Sequence, residues 1–368
     1  MIPIMRPELP KYELMEAQIR EIFTTGLITS GKYVKHFEEK SAKYLGVAHT
    51  VTAPSATAGL TVVLSTLPEG SEVVMPAYTF SATYEVAKWN NLNPVLVDCD
   101  DSCNIDTDLI ESAITERTSA IVAVHMYGTP PNIDRLEQIA RKNNLRLFFD
   151  AAHAFGSMYK GKHTGGFGDA EVFSLGPTKT MPVGEGGLIA TNHAGLAERF
   201  RLSCTHGHGP DSLDCEVKGI NGRLQEINGI VGIHLLDTLD SCIERRIEIA
   251  LRYKKILGKL PGISFPRVPD YVRTTYKDFS IFVDKEKFGM DREELYDWLK
   301  KEGIQTKRYF FPPIHKLTVA QEAYKNLHLP KTEKLSYNVL SLPIFTQMTS
   351  ENFDSVCAAV EKAYNSRH

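Results

Sequence analysis

The sequence predicts an α/β protein in two parts. A large domain (residues 1–245) holds a mostly parallel sheet between helices, and a smaller C-terminal α/β domain (residues 246–368) packs on it. Three observations predict this. From about residue 13 to 240, short apolar runs alternate with longer amphipathic stretches. The runs are nearly continuous in Val, Ile, Leu and Phe, which is how strands covered on both faces read. After residue 245 the rhythm changes to helix-like stretches around a proline-rich stretch and one apolar segment.

Taken in order, helical spacing predicts helices over Tyr33–Tyr44, Thr57–Leu67, Asp108–Ile114 and Asn132–Asn143. The intervening strands are predicted at Glu72–Met75, Pro94–Val97, Ser119–His125, Leu145–Phe149, Glu171–Ser174 and Leu188–Thr191. In the second part a helix is predicted from Ala250 to Leu257, preceded by the charged stretch Glu244-Arg245-Arg246 and stopped at Gly258. An apolar segment follows at Asp278–Val283, then helices at Arg292–Glu302 and Glu351–Tyr364. In an open sheet of this kind ligands collect beyond the carboxyl ends of the strands, so the polar residues just after those ends are the first candidates for a site.

Composition narrows the class. The 368 residues are 42% hydrophobic and 24% charged, ordinary for a soluble globular protein. A formal net charge of −3 gives no electrostatic reason to expect nucleic acid or an anionic membrane as partner. No run approaches the length of a membrane span, and the first residues lack the apolar core of a signal peptide. The six cysteines are scattered, and Cys99 and Cys103 have no second pair to complete a zinc site, so structural or incidental roles and no metal are expected. A cytoplasmic enzyme is the expectation.

Two strand ends carry the chemistry. The first is Leu145-Arg-Leu-Phe-Phe-Asp150-Ala-Ala-His153, an apolar strand that ends in a carboxylate, two small residues and an imidazole. Asp150 is equally suited to capping a following helix. The second runs from Phe173-Ser174 through Lys179 to Gly186-Gly187, and Lys179 is the only lysine between Lys162 and Lys218. A lone loop lysine is ordinarily solvated charge; the pairing with Asp150 makes it a candidate. Pyridoxal phosphate asks for a lysine amine of depressed pKa, a carboxylate at the pyridine nitrogen, an aromatic face and phosphate donors. Lys179 and Asp150 meet the first two. Pro54-Ser55-Ala56-Thr57-Ala58-Gly59 is a small-residue turn opening a helix, which presents free N–H groups and a positive dipole end to an anion. Ser174 adds a hydroxyl. Tyr78 and Phe80, just after the Glu72–Met75 strand, both offer an aromatic face or plain core packing.

These pieces resemble the DegT-type nucleotide-sugar aminotransferases, a branch of the fold-type I pyridoxal-phosphate enzymes. The likeness runs from Ser30-Gly31-Lys32-Tyr33-Val34 to Leu340-Ser341-Leu342-Pro343-Ile344. It is carried by Pro54–Gly59, Asp150–Gly156, Lys160-Gly161-Lys162, Ser174–Gly187, Gly219-Ile-Asn221-Gly-Arg223-Leu224 and Tyr309-Phe-Phe-Pro-Pro-Ile-His315. It implies that Lys179 is the Schiff-base lysine, Asp150 the pyridinium partner and His153 a neighbour of the ring. It implies phosphate contacts at Ala56, Thr57 and Ser174, and a stacking face at Phe80. Asn221 matches a residue that the family donates across a dimer interface, which implies a homodimer with shared sites. Arg223, Tyr309 and His315 match positions near the sugar nucleotide. One departure is Leu175-Gly176-Pro177-Thr178, where the family often has Phe-His-Ala/Pro-Thr; it removes a bulky residue near the cofactor.

The activity so implied is transfer of an amino group from L-glutamate to a nucleotide-linked keto-sugar, in deoxyamino-sugar biosynthesis of the kind that feeds lipopolysaccharide or O-antigen. The run Lys307–Pro312, with Asp150–Gly156, looks more like the branch acting on dTDP-4-keto-6-deoxyglucose, which implies amination at C4; amination at C3 is the alternative. A pyridoxal-phosphate-binding regulator without turnover is a reading of another class. It ordinarily needs an effector module, for which the stretches before residue 13 and after residue 350 are expected to leave no room.

Overall fold

A computed structural model describes residues 1–209 and 214–368. Two helices open the chain, α1 (Tyr12–Thr25) and α2 (Lys32–Leu45). The N-terminus of α2 has no side-chain cap of its own. Instead the carboxylate of Glu226, almost fully buried, accepts the N–H groups of Gly31, Tyr33 and Val34 at 2.9 Å each. A helix start leaves such donors unsatisfied and favours negative charge, so one distant glutamate caps it.

The α/β alternation follows: β1 (His49–Ala53), α3 (Ala56–Leu64), β2 (Glu72–Pro76), α4 (Ser81–Trp89), β3 (Asn93–Val97), α5 (Thr107–Ala113), β4 (Thr118–Val124), α6 (Ile133–Lys142) and β5 (Arg146–Asp150). Two short strands, β6 (Met158–Tyr159) and β7 (Lys162–His163), form a side ribbon. Then come β8 (Ala170–Ser174), β9 (Gly187–Thr191), α7 (Ala194–Cys204) and α8 (Glu226–Leu235). Seven strands make one sheet in the order β1-β9-β8-β5-β4-β2-β3. Only β9 runs against its neighbours; every other adjacent pair is parallel. All six expected strands are present within a residue or so of their expected ends. Their apolar side chains are buried, with Phe148, Phe149 and Phe173 fully so. Each such side chain contributes roughly 1.5–3 kcal/mol by leaving water.

Differences from expectation have local causes. Helix α3 stops at Leu64, not Leu67, because the hydroxyls of Ser65 and Thr66 bond back to Val62 and Val63 carbonyls at 2.7 Å each, just before Pro68. Strand β1 was not expected, since His49-Thr-Val-Thr-Ala53 alternates with threonine and lacks the continuous apolar run of its neighbours.

The C-terminal part begins with α9 (Leu239–Leu257), eleven residues earlier than Ala250, so the expected boundary at 245/246 falls inside a helix. The charged stretch that hid it holds Arg246, which turns inward and is buried. It donates to the carbonyls of Tyr276 (3.2 Å) and Lys277 (2.7 Å). After β10 (Ile263–Ser264) and β11 (Val272–Arg273) comes β12 (Phe279–Val283). Helices α10 (Lys285–Phe288), α11 (Arg292–Lys301) and α12 (Pro330–Asn338), strand β13 (Val339–Leu342) and helix α13 (Ser350–Asn365) complete the chain. Helix α11 starts on a capping box made by Asp291 and Glu294. Strands β10, β12 and β13 form a small sheet against α9, α11 and α13. The extreme N-terminus joins this part, with Ile2 bridged to Ile304 and its carbonyl accepting from Gln305. No helix among the described residues is long and apolar enough to cross a membrane.

Candidate active site

The carboxyl ends of the parallel strands open into a cleft of about 380 Å³. Eight residues singled out from the sequence line it: Ala56, Thr57, Phe80, Asp150, His153, Ser174, Lys179 and Tyr309. Five of them sit at the end of an element. Ala56 and Thr57 open α3, Phe80 precedes α4, Asp150 closes β5 and Ser174 closes β8.

Asp150 is buried, and its carboxylate is oriented from two sides. Thr83 donates its hydroxyl to Oδ2 at 2.8 Å, and the Ala152 N–H donates to Oδ1 at 3.1 Å. No helix follows Asp150; the chain makes a turn, so helix capping is not its role. Thr83 was not foreseen. It is fully buried on α4 and bonded to Thr79 at 3.1 Å, and two threonines four apart beside an apolar helix face were the available signal.

Lys179 sits in the loop between β8 and β9, which closes on itself through Leu175 N–H to Gly186 O (2.9 Å) and Val183 N–H to Leu175 O (2.9 Å). Gly187 then passes so close to the start of α3 that a Cβ there would lie 2.4 Å from the Ser55 carbonyl oxygen, so only glycine lets the two approach. The lysine keeps some surface in the cleft, yet burial is the largest cause that brings its ammonium from 10.5 down to about 7. The charge of Lys277 adds to the fall, and Asp278, Asp150 and Glu185 oppose it. A substantial fraction of Lys179 is therefore a free amine near neutral pH.

His153 is buried and held well below its ordinary range, first by burial, then by Lys179 and Lys277. Its imidazole is neutral, its Nδ1 has no partner among the described residues, and its ring stacks at 6.0 Å and 13° on Phe310. Its carbonyl accepts the Thr275 hydroxyl at 2.8 Å. Gly128, at φ +90°, lies against both groups: a Cβ would fall 2.1 Å from Thr275 Oγ1 and 2.8 Å from that carbonyl.

The two aromatic candidates separate. Tyr78 is fully buried, hydrogen-bonded to Tyr127 at 2.7 Å and to the Tyr309 carbonyl at 3.1 Å. Phe80 is 57% exposed and faces the cleft, 5.9 Å from Phe310. Three expected residues lie elsewhere. His315 is buried outside the cleft with Nε2 2.9 Å from Glu333, and burial is the largest cause that holds its imidazole below its ordinary range. Asn221 and Arg223 are exposed and do not enter the cleft; Arg223 borders a separate cavity of about 450 Å³ beside α2, β1 and α7. The sequence reading also missed Phe310 and the buried Lys277, which come from the C-terminal part.

The arrangement suits pyridoxal phosphate on its own chemistry. It offers a partly deprotonated lysine, an oriented carboxylate, a neutral imidazole with an unpartnered nitrogen, and a helix start whose first N–H groups meet no carbonyl of the helix. A family model described as DegT/DnrJ/EryC1/StrS aminotransferase matches residues 11–361. The chain belongs to this aminotransferase family. The aminotransferase is similar in structure to DesI, solved in the presence of its TDP-sugar product (32% identity, TM-score 0.91, 98% of this chain and 92% of that one). It is similar to Helicobacter pylori PseC, involved in the biosynthesis of pseudoaminic acid (27%, TM-score 0.92, 99% of each chain). It is also similar to NtdA from Bacillus subtilis, solved with bound PMP (29%, TM-score 0.88, 96% of this chain and 82% of that one). The fold is fold-type I, the enzyme a sugar aminotransferase and its cofactor pyridoxal phosphate.

Proposed function

We propose that the enzyme moves an amino group from L-glutamate to C4 of a 4-keto-6-deoxyhexose linked to a nucleoside diphosphate, in a homodimer whose two sites are shared. The observation that carries this reading is Lys179, held close to half-deprotonated in the same cleft as the oriented carboxylate of Asp150. The nucleotide-sugar part is supported by DesI, whose structure was solved with a TDP-sugar.

Pyridoxal phosphate supplies an aldehyde for the amino group and a ring that stores the electron pair released at the donor's α-carbon. In this reading Lys179 anchors the cofactor, and its Nζ, once freed, holds and returns the proton taken from that carbon. Asp150, fixed by Thr83 and Ala152, keeps the ring nitrogen protonated. The N–H groups at Ala56 and Thr57, with the Thr57 and Ser174 hydroxyls, receive the phosphate. Phe80 and His153 flank the ring, and Tyr309 borders the sugar. Shared sites are supported by the position of Asn221 and Arg223 outside their own cleft. Segment 221–225 runs beside the loop bearing Leu27 and Ile28, which are 66% and 61% exposed, and such apolar exposure fits burial against a second copy.

The test is incubation of the purified protein with L-glutamate and a panel of nucleotide-linked 4-keto and 3-keto sugars, with mass and NMR analysis of products. An amine at C4 is expected. Acceptance of only 3-keto sugars would move the reaction to C3, and an unchanged visible spectrum with glutamate would point to a silent binder.

A further inference from the structure

An α-amino acid donor brings a carboxylate one carbon from the amine that reacts, and nothing in the reading above receives it. Lys277 stands in the right place. It lines the cleft from the C-terminal part, two residues before β12, and is 5% exposed. Its Nζ lies 2.8 and 2.9 Å from the two carboxylate oxygens of Asp278, and 4.9 Å from the centroid of the Tyr309 ring. An ammonium has three N–H donors. Asp278 takes two, and among the described residues no acceptor takes the third. The backbone at this point is pinned, because Arg246 donates to the carbonyls of both Tyr276 and Lys277.

The cleft's charges point the same way. Three basic side chains line it: Lys179, His153 and Lys277. Burial favours the neutral form of the first two. The charge of Lys277 is near enough to act on both of the others. Arg308, the nearest alternative on the adjoining loop, is spent on Glu293 and stacks 3.7 Å over Tyr296. A buried lysine–aspartate pair gains a fold little over apolar packing. Its place in a cleft wall is explained by a ligand.

We propose that Lys277 binds the α-carboxylate of the amino donor, with Asp278 as the resident counter-ion that holds the ammonium aimed into the cleft until the donor arrives. This rests on the transaminase reading with an amino-acid donor. It makes Lys277 a selector of the donor: the keto-sugar carries no carboxylate at the reacting carbon and does not call on it.

The test uses the holoenzyme of wild type, Lys277→Arg and the double variant Lys277→Met/Asp278→Asn, which avoids leaving Asp278 buried and unpaired. Each is titrated by calorimetry with α-methyl-L-glutamate, which keeps the α-carboxylate but has no α-proton, and with 4-aminobutyrate, which lacks that carboxylate. The double variant should bind α-methyl-L-glutamate about 10- to 100-fold more weakly, the range for losing a charge-assisted hydrogen bond. Its affinity for 4-aminobutyrate should change far less, and Lys277→Arg should restore most of the loss. Equal binding of α-methyl-L-glutamate by wild type and double variant, or equal weakening of both ligands, overturns the assignment. If wild type binds α-methyl-L-glutamate but shows no spectral conversion with any α-amino acid, the donor reading fails and the assignment falls with it. Conversion in wild type with unaltered binding in the double variant removes the assignment alone.

Discussion

The two walls of the cleft come from different parts of the chain and are held by different means. The first is made of strand ends and the start of α3, and carries Asp150, His153, Ser174 and Lys179. Its reactive groups are placed by the sheet and by short hydrogen bonds close in sequence, apart from Thr83. The second wall, Lys277 with Tyr309 and Phe310, arrives more than a hundred residues after Asp150. It is held by the Lys277–Asp278 pair, by Arg246 on its backbone, and by Tyr78 and Tyr127 on the Tyr309 carbonyl. In the proposed reaction the first wall positions the reacting atoms. The second sets the electrical environment in which they work, and Lys277 is the second-largest cause of the depressed Lys179 ammonium after burial.

This division predicts that damage to the first wall strikes turnover and damage to the second strikes donor binding. The largest effect is expected for Lys179→Ala. Loss of a nucleophile that also moves the proton should cost at least about 10³-fold in kcat, since general acid–base action alone is worth 10²–10⁴-fold. The absorbance band of the lysine-linked cofactor should disappear with it. Steady-state rates and a spectrum of the purified variant check both. A Lys179→Ala enzyme with a near-normal kcat would break the comparison outright.

The first wall was legible because its signals are local. A continuous apolar strand followed at once by Asp150-Ala-Ala-His153, or by Ser174 and a glycine-rich return, can be read without knowing what packs opposite. The second wall was not. Asp278–Val283 reads only as an apolar segment, and nothing local in sequence shows that Lys277, just ahead of it, is buried in the fold. Helix α9 was shortened for the same reason, since Arg246 looks solvated until its carbonyl partners arrive from thirty residues on. His315 shows a related limit of local signals: its motif is readable in sequence, but its burial against Glu333 depends on α12. By residue type alone Tyr78 and Phe80 were indistinguishable, and it is tertiary contacts that bury one and leave the other in the cleft.

A second prediction concerns pH. In the folded protein Lys179 titrates near 7, against 10.5 for the ordinary side chain. Between those values the unfolded chain holds a proton that the folded chain has released. Stability from this group therefore rises with pH across that window, and the penalty is complete below about pH 7. Lys179→Met removes the penalty. Melting temperatures of the cofactor-free proteins should show the variant gaining most over wild type at pH 6–7, with the gain fading towards pH 10.5. A gain that does not vary with pH would mean the amine is charged in the fold, and that the second wall does not act on it as described.

The smallest effect should come from Thr83→Val, which sharpens the division inside the first wall. The substitution keeps the shape of a buried side chain but withdraws the hydroxyl that donates to Asp150 Oδ2. A hydrogen bond to a charged group is worth roughly 1.5–3 kcal/mol, so a loss of that order in unfolding free energy is expected. Asp150 keeps its bond from the Ala152 N–H, so its carboxylate should swing rather than leave, and kcat should fall by about tenfold with donor KM little changed. Thr83→Ser, which restores the donor, should recover most of the rate. If the valine variant instead raised donor KM with kcat intact, Thr83 would belong functionally with Lys277, and the separation of a reacting wall from a binding wall would not hold.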